Sequence, residues 1–319
     1  MSVPRVSAFA RLANGAIAPK RVLEGQATHL SRTMHGMDFD VPHDEFFIPV
    51  ALSGAVLTFR GGAGGEEPPK RVIQGSKTGL VRPQTIAVDP VHDEVYVGDP
   101  SARAVFVFHR TDNGNVAPIR VLQGKQSKLV EVTSVAVDPV HDLLITGQRG
   151  LTPETTGLLI FRRTDNGDVA PRAIIAGPKT RMYHFRQVAV DPTREKIYVA
   201  VQDIWYKPAA PYAASKVRSG YATEKNEEAL KWTPSPFDPS TKGFIGVWDI
   251  HDDGNVPPRA VIRGPQSRLL EPGGLALDSG DGEVIAVDGG VNGYQVYLVP
   301  QFFRPEFWRS LANGLRPLP

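Results

Sequence analysis

The chain has 319 residues, of which 41% are hydrophobic and 22% are charged, and its formal net charge at pH 7 is +2. These values are ordinary for a globular protein and exclude an intrinsically disordered chain. The near-balanced charge, with Lys and Arg spread evenly, gives no case for a nucleic-acid partner, and the absence of cysteine excludes disulfides and thiolate metal ligands.

The chain contains no run of about 18 apolar residues, so the sequence predicts no membrane-spanning helix. Its opening, MSVPRVSAFARLANG, lacks the apolar core of a secretory signal peptide. We therefore expect a soluble protein without a membrane partner. The compartment is left open, because the composition suits a cytosolic protein and equally an exported bacterial protein whose leader has been removed.

Two phrases alternate along the chain. The first is FHRTDNGNVAPIRVLQG at 108–124, with copies at 9–25, 161–177 and 248–264 and a looser copy at 59–75. The second is TIAVDPVHDEVYVGD at 85–99, with copies at 36–50, 134–148, 187–201 and 274–288. The period is about 49 residues, interrupted once by an insertion between the fourth and fifth copies.

Each period contains four short runs rich in Val, Ile and Phe, separated by turn signals. In one copy these runs are Ile86–Asp89, Val95–Gly98, Val105–His109 and Arg120–Gln123. Four antiparallel strands in a repeat of 40–50 residues are typical of a β-propeller blade. We therefore predict an all-β fold, a single β-propeller domain over 1–319.

Five blades are preferred, with strands from the N-terminus completing the last blade and so closing the ring. Both VSAFA (6–10) and QVYLV (295–299) fit the third strand, which makes six candidates for that strand. The tail LANGLRPLP (311–319) also echoes LANGAIAPK (12–20), which keeps a sixth, degenerate blade as the alternative.

The phrases GNVAPIRVLQG and TIAVDPVHDEVYVGD resemble those of the NHL-repeat and lactonase-like propellers of bacteria. The resemblance covers nearly the whole chain outside the insertion. The resemblance implies propeller architecture. It is compatible with several activities, since that superfamily includes calcium-dependent lactonases, streptogramin lyases and proteins that only bind a ligand.

The candidate site residues occupy three positions of the repeat that change from blade to blade, at the mouth of the predicted channel. Just before the innermost strand lie His35, Gln84, Thr133, Arg186 and Gly273. Two residues earlier lie Thr33, Arg82, Glu131, His184 and Glu271, and at the exit of the second strand lie Val50, Asp99, Gln148, Val201 and Asp288. Polar residues that converge on one mouth indicate a binding site.

These side chains suit three roles. We predict general acid–base catalysis from His35, His184, Glu131 and Glu271. We predict substrate binding by Arg82, Arg186, Gln84, Thr133, Gln148, Trp205 and Tyr206, and binding of calcium or magnesium by Asp99 and Asp288. The alternative for each is an ion pair that plugs the channel.

The insertion at 202–242 is rich in aromatic residues and lies between the second and third strands of the fourth blade. The segment 222–232 is predicted to be a helix capped by Thr223. Long loops of this kind are often lids, although a cover packed over one blade edge is the alternative.

Two further motifs are interpreted as structural. His43, His92 and His141 recur in the turn between the first two strands and indicate a hydrogen-bonded turn. The Asp112–Asn115 stretch resembles a calcium-binding loop, but it lacks the further carboxylate that such a loop carries later in its sequence. We therefore interpret Asn113-Gly114 as a hairpin turn capped by Asp112 and Asn115.

Three functions remain open on this basis. The favoured one is an enzyme, a metal-assisted hydrolase, lyase or isomerase acting on a small polar, anionic or cyclic substrate. The others are a non-enzymatic propeller that binds a small molecule or a protein partner, and a scaffold with a plugged channel. No organic cofactor is indicated.

Overall fold

The structure of the protein is a computed structural model, which describes residues 4–202, 205–206, 232–233 and 243–312. Backbone contacts divide the chain into two compact units. The first contains residues 1–146 and 160–172, and the second contains residues 147–159 and 173–319.

The fold is an all-β propeller with five blades, as the sequence predicts. Four blades are four-stranded antiparallel sheets whose strands follow one another in chain order. The first has β3 (Asp38–Asp40), β4 (Glu45–Val50), β5 (Ala55–Arg60) and β6 (Arg71–Ile73); the second has β7 (Thr85–Asp89), β8 (Glu94–Asp99), β9 (Ala104–His109) and β10 (Arg120–Gln123). The third has β11 (Val132–Asp138), β12 (Leu143–Gln148), β13 (Gly157–Arg162) and β14 (Ala173–Ala176). The fourth has β15 (His184–Asp191), β16 (Lys196–Gln202), β19 (Gly243–Asp249) and β20 (Ala260–Ile262).

The fifth sheet has three strands in the described part of the chain: β21 (Pro272–Asp278), β22 (Glu283–Asp288) and β23 (Gly293–Leu298). Its third strand is β23, whereas β1 (Arg5–Ala8) pairs with β2 (Arg21–Glu24) in a sheet of two strands. Of the two candidates that the sequence offered for the third strand, QVYLV (295–299) therefore supplies the third strand of this sheet. A short hairpin brings β23 onto β22, and closing so short a loop costs little entropy.

The remaining elements are short. Strand β17 (Trp205–Tyr206) pairs with β18 (Trp232–Thr233), and these four residues are the part of the insertion from 203 onwards that is described. The helix predicted over 222–232 lies outside the described residues. Single turns of 3-10 helix occur at Gln26–Thr28, Pro178–Thr180, Pro265–Ser267 and Pro300–Phe303, and α1 spans Pro305–Ala312.

The second strands of the first three blades are buried along their whole length. All six residues of β4, of β8 and of β12 are buried, which explains why these strands read as nearly continuous apolar runs. In the first unit Phe47 of the first blade shares a cluster with Phe106 of the second. In the second unit Ile245 of the fourth blade shares one with Val284 of the fifth and with Trp308 of α1.

The Asn-Gly turn of the second blade is hydrogen-bonded to the outermost strand of the first blade. Gly114, with φ of 81°, donates its N–H to the carbonyl of Val72 over 2.7 Å and accepts from the N–H of Gln74 over 3.1 Å. The side-chain oxygen of Asn113 accepts from the N–H of Val72 over 2.9 Å. These bonds cover the edge of β6, which would otherwise expose unpaired backbone groups.

We call this set of hydrogen bonds between a turn and the preceding outermost strand the clasp. It recurs at Asn166-Gly167 against β10 and at Asp253-Gly254 against β14. Asp112 caps its own turn as predicted, since Oδ2 accepts from the N–H of His109 over 2.9 Å. Asn115 does not cap it: its oxygen accepts from the N–H of Lys77, in the loop that follows β6, over 2.7 Å. The stretch that resembles a calcium loop therefore joins blades.

The recurring histidines form hydrogen bonds within their turns, as predicted. Nδ1 of each lies at hydrogen-bond distance from a fully buried aspartate three residues earlier that ends the innermost strand. The pairs are His43 with Asp40, His92 with Asp89 and His141 with Asp138, at 2.9, 2.7 and 2.7 Å.

The innermost strands of adjacent blades are bridged by polar side chains that accept backbone hydrogen bonds. In the second unit Gln187 Oε1 accepts from the N–H of Leu275 over 2.9 Å. In the first unit Thr85 Oγ1 accepts from Val135 over 3.0 Å, and Asp38 Oδ2 accepts from Val88 over 2.8 Å. Asp38 is the charged member of this series, and burial, with a smaller effect from Asp40, raises its pKa to about 6.

Asp38→Asn is expected to stabilise the protein at pH 7 and to leave its stability at pH 4 nearly unchanged. The folded state holds the Asp38 proton more tightly than the unfolded chain, so the ionised carboxylate costs about 2–3 kcal/mol above pH 6 and nothing below its unfolded pKa of about 4. The amide keeps the acceptor for Val88. Urea unfolding at both pH values measures the difference, and an equal effect at the two would contradict the account.

Candidate functional site

The two units each contain some of the predicted site residues. The first unit contains His35, Arg82, Gln84, Asp99, Glu131 and Thr133. The second contains Gln148, His184, Arg186, Glu271 and Asp288. Trp205 and Tyr206 form β17, and their predicted contact with a ligand falls on side chains outside the described part of the structure.

His184 is the most distinctive of these residues. It begins β15 directly opposite Gln202, the last residue of β16, and only 5% of its surface is exposed. Its Nδ1 lies 2.6 Å from Gln202 Oε1, and its Nε2 lies 3.3 Å from Nη1 of Arg149, which follows β12. Both ring nitrogens are thus engaged by neutral or cationic neighbours.

These partners fix the tautomer of the ring. An arginine side chain has no acceptor, so Arg149 donates to Nε2, and Nδ1–H then donates to the amide oxygen of Gln202. Burial first, and then the positive charges of Arg149 and Arg186, lower the pKa of His184 to about 4, while the hydrogen bond to Gln202 opposes the shift. His184 is therefore a neutral imidazole at physiological pH.

A bulge in β15 presents Arg186. The pairing of β15 with β16 shifts register between Phe185 and Gln187, which leaves Arg186 as the extra residue, and its side chain is exposed. Bulges re-aim side chains and are common next to functional sites. The arginine predicted to bind substrate thus lies two residues from the buried imidazole that it influences.

The loop after β12 positions Arg149. Gln148 is 4% exposed, and its Nε2 donates to the carbonyl of Thr155 over 3.2 Å. Gly150 N–H donates to Oγ1 of Thr156 over 3.0 Å, so the loop returns on itself one residue after Arg149. Gln148 was predicted to bind a ligand. In this structure its side chain is hydrogen-bonded to the loop that carries Arg149.

We name the group of Gln148, Arg149, His184, Arg186 and Gln202 the His184 site. It comes entirely from the second unit. Arg149 and Gln202 were missed by the sequence analysis, since each lies one residue beyond the repeat position that was compared. Gln202 could have been found from its position opposite His184 in an antiparallel pair.

Asp99 uses its carboxylate to hold two loops. It is fully buried, and Oδ2 accepts from the N–H groups of Val81 and Arg82, both at 2.7 Å. Oδ1 accepts from the N–H groups of Ser101 and Ala102 at 2.9 and 3.0 Å. A carboxylate offers about four acceptor sites, so all of them are occupied.

Asp288 repeats this arrangement in the fifth blade, at 1% exposure. Its Oδ2 accepts from Leu270 at 2.7 Å and Glu271 at 3.1 Å, and its Oδ1 accepts from Gly290 at 2.8 Å. The two aspartates predicted to bind calcium or magnesium thus have no free oxygen, and their geometry does not fit a metal site.

The other predicted residues are more exposed than these aspartates. His35 and Glu271 are exposed, whereas Arg82, Gln84, Glu131 and Thr133 are half-buried. The backbone N–H of Gln84 donates to the carbonyl of Gly98 over 3.0 Å, which is a structural bond of the blade. Their side-chain roles stay predictions.

A second cluster of side chains of the kinds that bind metal ions lies at the other end of β16. Ligand atoms of Glu195, Asp249 and His251 lie within 4.8 Å of one another. Lys196 Nζ is 2.7 Å from Asp249 Oδ2, so a cation already neutralises that carboxylate. The group is a surface ion-pair network as it stands.

No family model and no curated protein matches the sequence. Within the part of the chain that the structure describes, no helix has both the length and the apolar character needed to cross a bilayer.

Proposed function

We propose that the protein binds a small anionic molecule at the His184 site and that His184 acts on it as a general base. The observation that carries this proposal is a buried neutral imidazole whose pKa is lowered by burial and by two nearby arginines, Arg149 and Arg186. An anion bound by these guanidinium groups would accept several charge-assisted hydrogen bonds.

The fixed tautomer supports the catalytic part of the proposal. Gln202 holds the proton on Nδ1, which leaves the Nε2 lone pair for a substrate proton when Arg149 turns towards the anion. The bond from Arg149 to Nε2 is long, at 3.3 Å, and is therefore a weak one to give up. The resemblance of the repeats to lactonase-like propellers supports hydrolase, lyase or isomerase chemistry.

The carboxylate oxygens of Asp99 and Asp288 accept backbone hydrogen bonds and so do not support a metal-assisted route through those residues. The second candidate is a propeller that binds the same anion without converting it. It is favoured by the low pKa of His184, since an imidazole with a pKa of about 4 is a weak base in the free protein.

Calorimetric titration with phosphate, acetate and malonate tests the proposal. Arg149→Gln and Arg186→Gln are each expected to weaken binding by about tenfold or more, because a hydrogen bond to a charged group contributes about 1.5–3 kcal/mol. Arg162→Gln, at an exposed arginine that ends β13, is the matched control and should bind as the wild type does.

The two candidate functions separate on turnover. Sugar-acid lactones and small hydroxy acids should be converted by the wild type and not by His184→Gln if the protein is an enzyme. Binding without turnover of any member of the panel would favour the second candidate. Arginine variants that bind all three anions as tightly as the wild type would contradict both.

A further inference from the structure

We propose that the first unit carries a binding site of its own, a groove on the first blade that takes a small carboxylic acid with an apolar body. The groove lies between the β4–β5 turn and the loop that joins β6 to β7, and its volume is about 600 Å³. Sites for small molecules in proteins have volumes of about 300–1,000 Å³. The groove is separate from the His184 site, which belongs to the second unit.

Gly54 keeps this groove open. It ends the β4–β5 turn with φ of 61°, and a Cβ atom there would lie 3.5 Å from the carbonyl oxygen of Leu80, which also lines the groove. The equivalent residue is Arg103 in the second blade, with φ of 55°, and Asn292 in the fifth, with φ of 51°. The left-handed conformation of this turn therefore does not itself require glycine. Glycine instead leaves the space that a side chain would fill.

Hydrogen bonds hold both walls of the groove in place. Gln74 Nε2 donates to the carbonyl of Ser53 over 2.8 Å, which joins the residue after β6 to the β4–β5 turn. On the other wall, the N–H of Val81 donates to Oδ2 of Asp99 over 2.7 Å. A ligand does not have to order a groove that is already formed, and this favours its affinity.

The lining fits a molecule with an apolar body and a head that accepts hydrogen bonds. Leu52 and Val81 line the groove and are 63% and 56% exposed, and an alkyl chain would remove this surface from water. Ser76 also lines it and makes no hydrogen bond with any other described residue. Its hydroxyl and its N–H are therefore both available to a carboxylate.

The charges beside the groove favour an anionic head. None of the described residues that line it is acidic. Lys77 follows Ser76, is exposed, and forms no ion pair with the described residues. Asp99 is the carboxylate bonded to the wall, and four backbone N–H groups already occupy it. A carboxylate is therefore attracted to this groove, whereas a cation has no counter-ion there.

Ligand-observed NMR titration with hexanoate, hexanamide and acetate tests the proposal. We expect the wild type to bind hexanoate at least about tenfold more tightly than acetate, because four more methylene groups are buried. Gly54→Arg introduces the residue that the second blade carries at this position, and it should weaken hexanoate binding by about tenfold or more although it adds a positive charge. Arg103→Gly is the matched control at the equivalent turn and should bind as the wild type does.

Two further variants separate charge from shape and guard against misfolding. Lys77→Gln should weaken hexanoate binding by about three- to fivefold, as for one exposed ion pair, and leave hexanamide binding unchanged. Ser76→Trp, at an exposed residue of the lining, fills the groove without touching the β4–β5 turn and should also abolish binding. It makes the same test if Gly54→Arg does not fold.

The outcomes distinguish this groove from the His184 site. Hexanoate binding that persists in Arg186→Gln and is lost in the folded groove variants would support the groove, whatever the fate of the His184 site. Binding that is unchanged in Gly54→Arg and in Ser76→Trp, or that is lost in Arg186→Gln, would overturn it. A wild type that binds no hexanoate, or binds it no better than acetate, would overturn it as well.

Discussion

Asp99→Ala is expected to lower the free energy of unfolding by about 3–5 kcal/mol, because it leaves four partly buried backbone N–H groups without their acceptor. The side chain joins the loop before β7 to the loop after β8, and both loops lose their anchor together. Guanidinium unfolding followed by circular dichroism measures the loss. The effect should appear in metal-free buffer.

Asp112→Ala is the matched control for this prediction. That carboxylate accepts one backbone hydrogen bond, from His109, so its loss should cost about 1 kcal/mol. If Asp99 were instead a metal ligand, a chelator would destabilise the wild type as much as the substitution does. That result would contradict the structural role assigned to Asp99.

Glu45→Gln is expected to destabilise the protein by about 2–3 kcal/mol at pH 7. Glu45 is 3% exposed, and its carboxylate is bound by Lys70 and Arg71, with Arg110 of the second blade 3.2 Å away. Burial alone would raise its pKa, but the hydrogen bonds from Arg71 and Lys70 outweigh burial and hold the pKa at about 2. Removing the charge leaves these cations partly buried without their counter-ion.

The pH dependence follows from the direction of that shift. The folded pKa lies below the unfolded value of about 4.5, so the stabilisation is complete above pH 4.5 and is lost as the pH falls towards 2. The wild type and Glu45→Gln should therefore converge in stability at acidic pH. Glu67→Gln, which breaks an exposed pair with Arg60, should have a much smaller effect at every pH. A constant gap between wild type and Glu45→Gln from pH 7 to 3 would contradict the assignment.

The propeller was predictable because its signals are local. The alternation of Val and Ile with turn residues recurs every blade, so each strand is specified several times over, as in β4, β8 and β12. The clasp was not predictable from the same pattern. Asn113 bonds Val72, 41 positions away, and its oxygen would serve equally well in its own turn.

The candidate site was predictable in part. Comparison of repeat positions led to His184 and Arg186, since both stand where other blades carry different residues. It failed for Arg149 and Gln202, because a position in the repeat does not reveal which side chain reaches a neighbour. It also assigned a metal to Asp99, whose loop-anchoring role depends on four backbone donors that the sequence does not show.

A crystal of the protein soaked in selenate tests the central claim most directly, because selenium scatters anomalously and marks the position of the anion. We expect an anomalous peak between Arg149 and Arg186, with Arg149 turned away from Nε2 of His184 towards the selenate oxygens. The peak should be absent from crystals of Arg186→Gln and present in Arg162→Gln. Wild-type crystals with no peak at this position, and with Arg149 still bonded to His184, would contradict the proposed anion site.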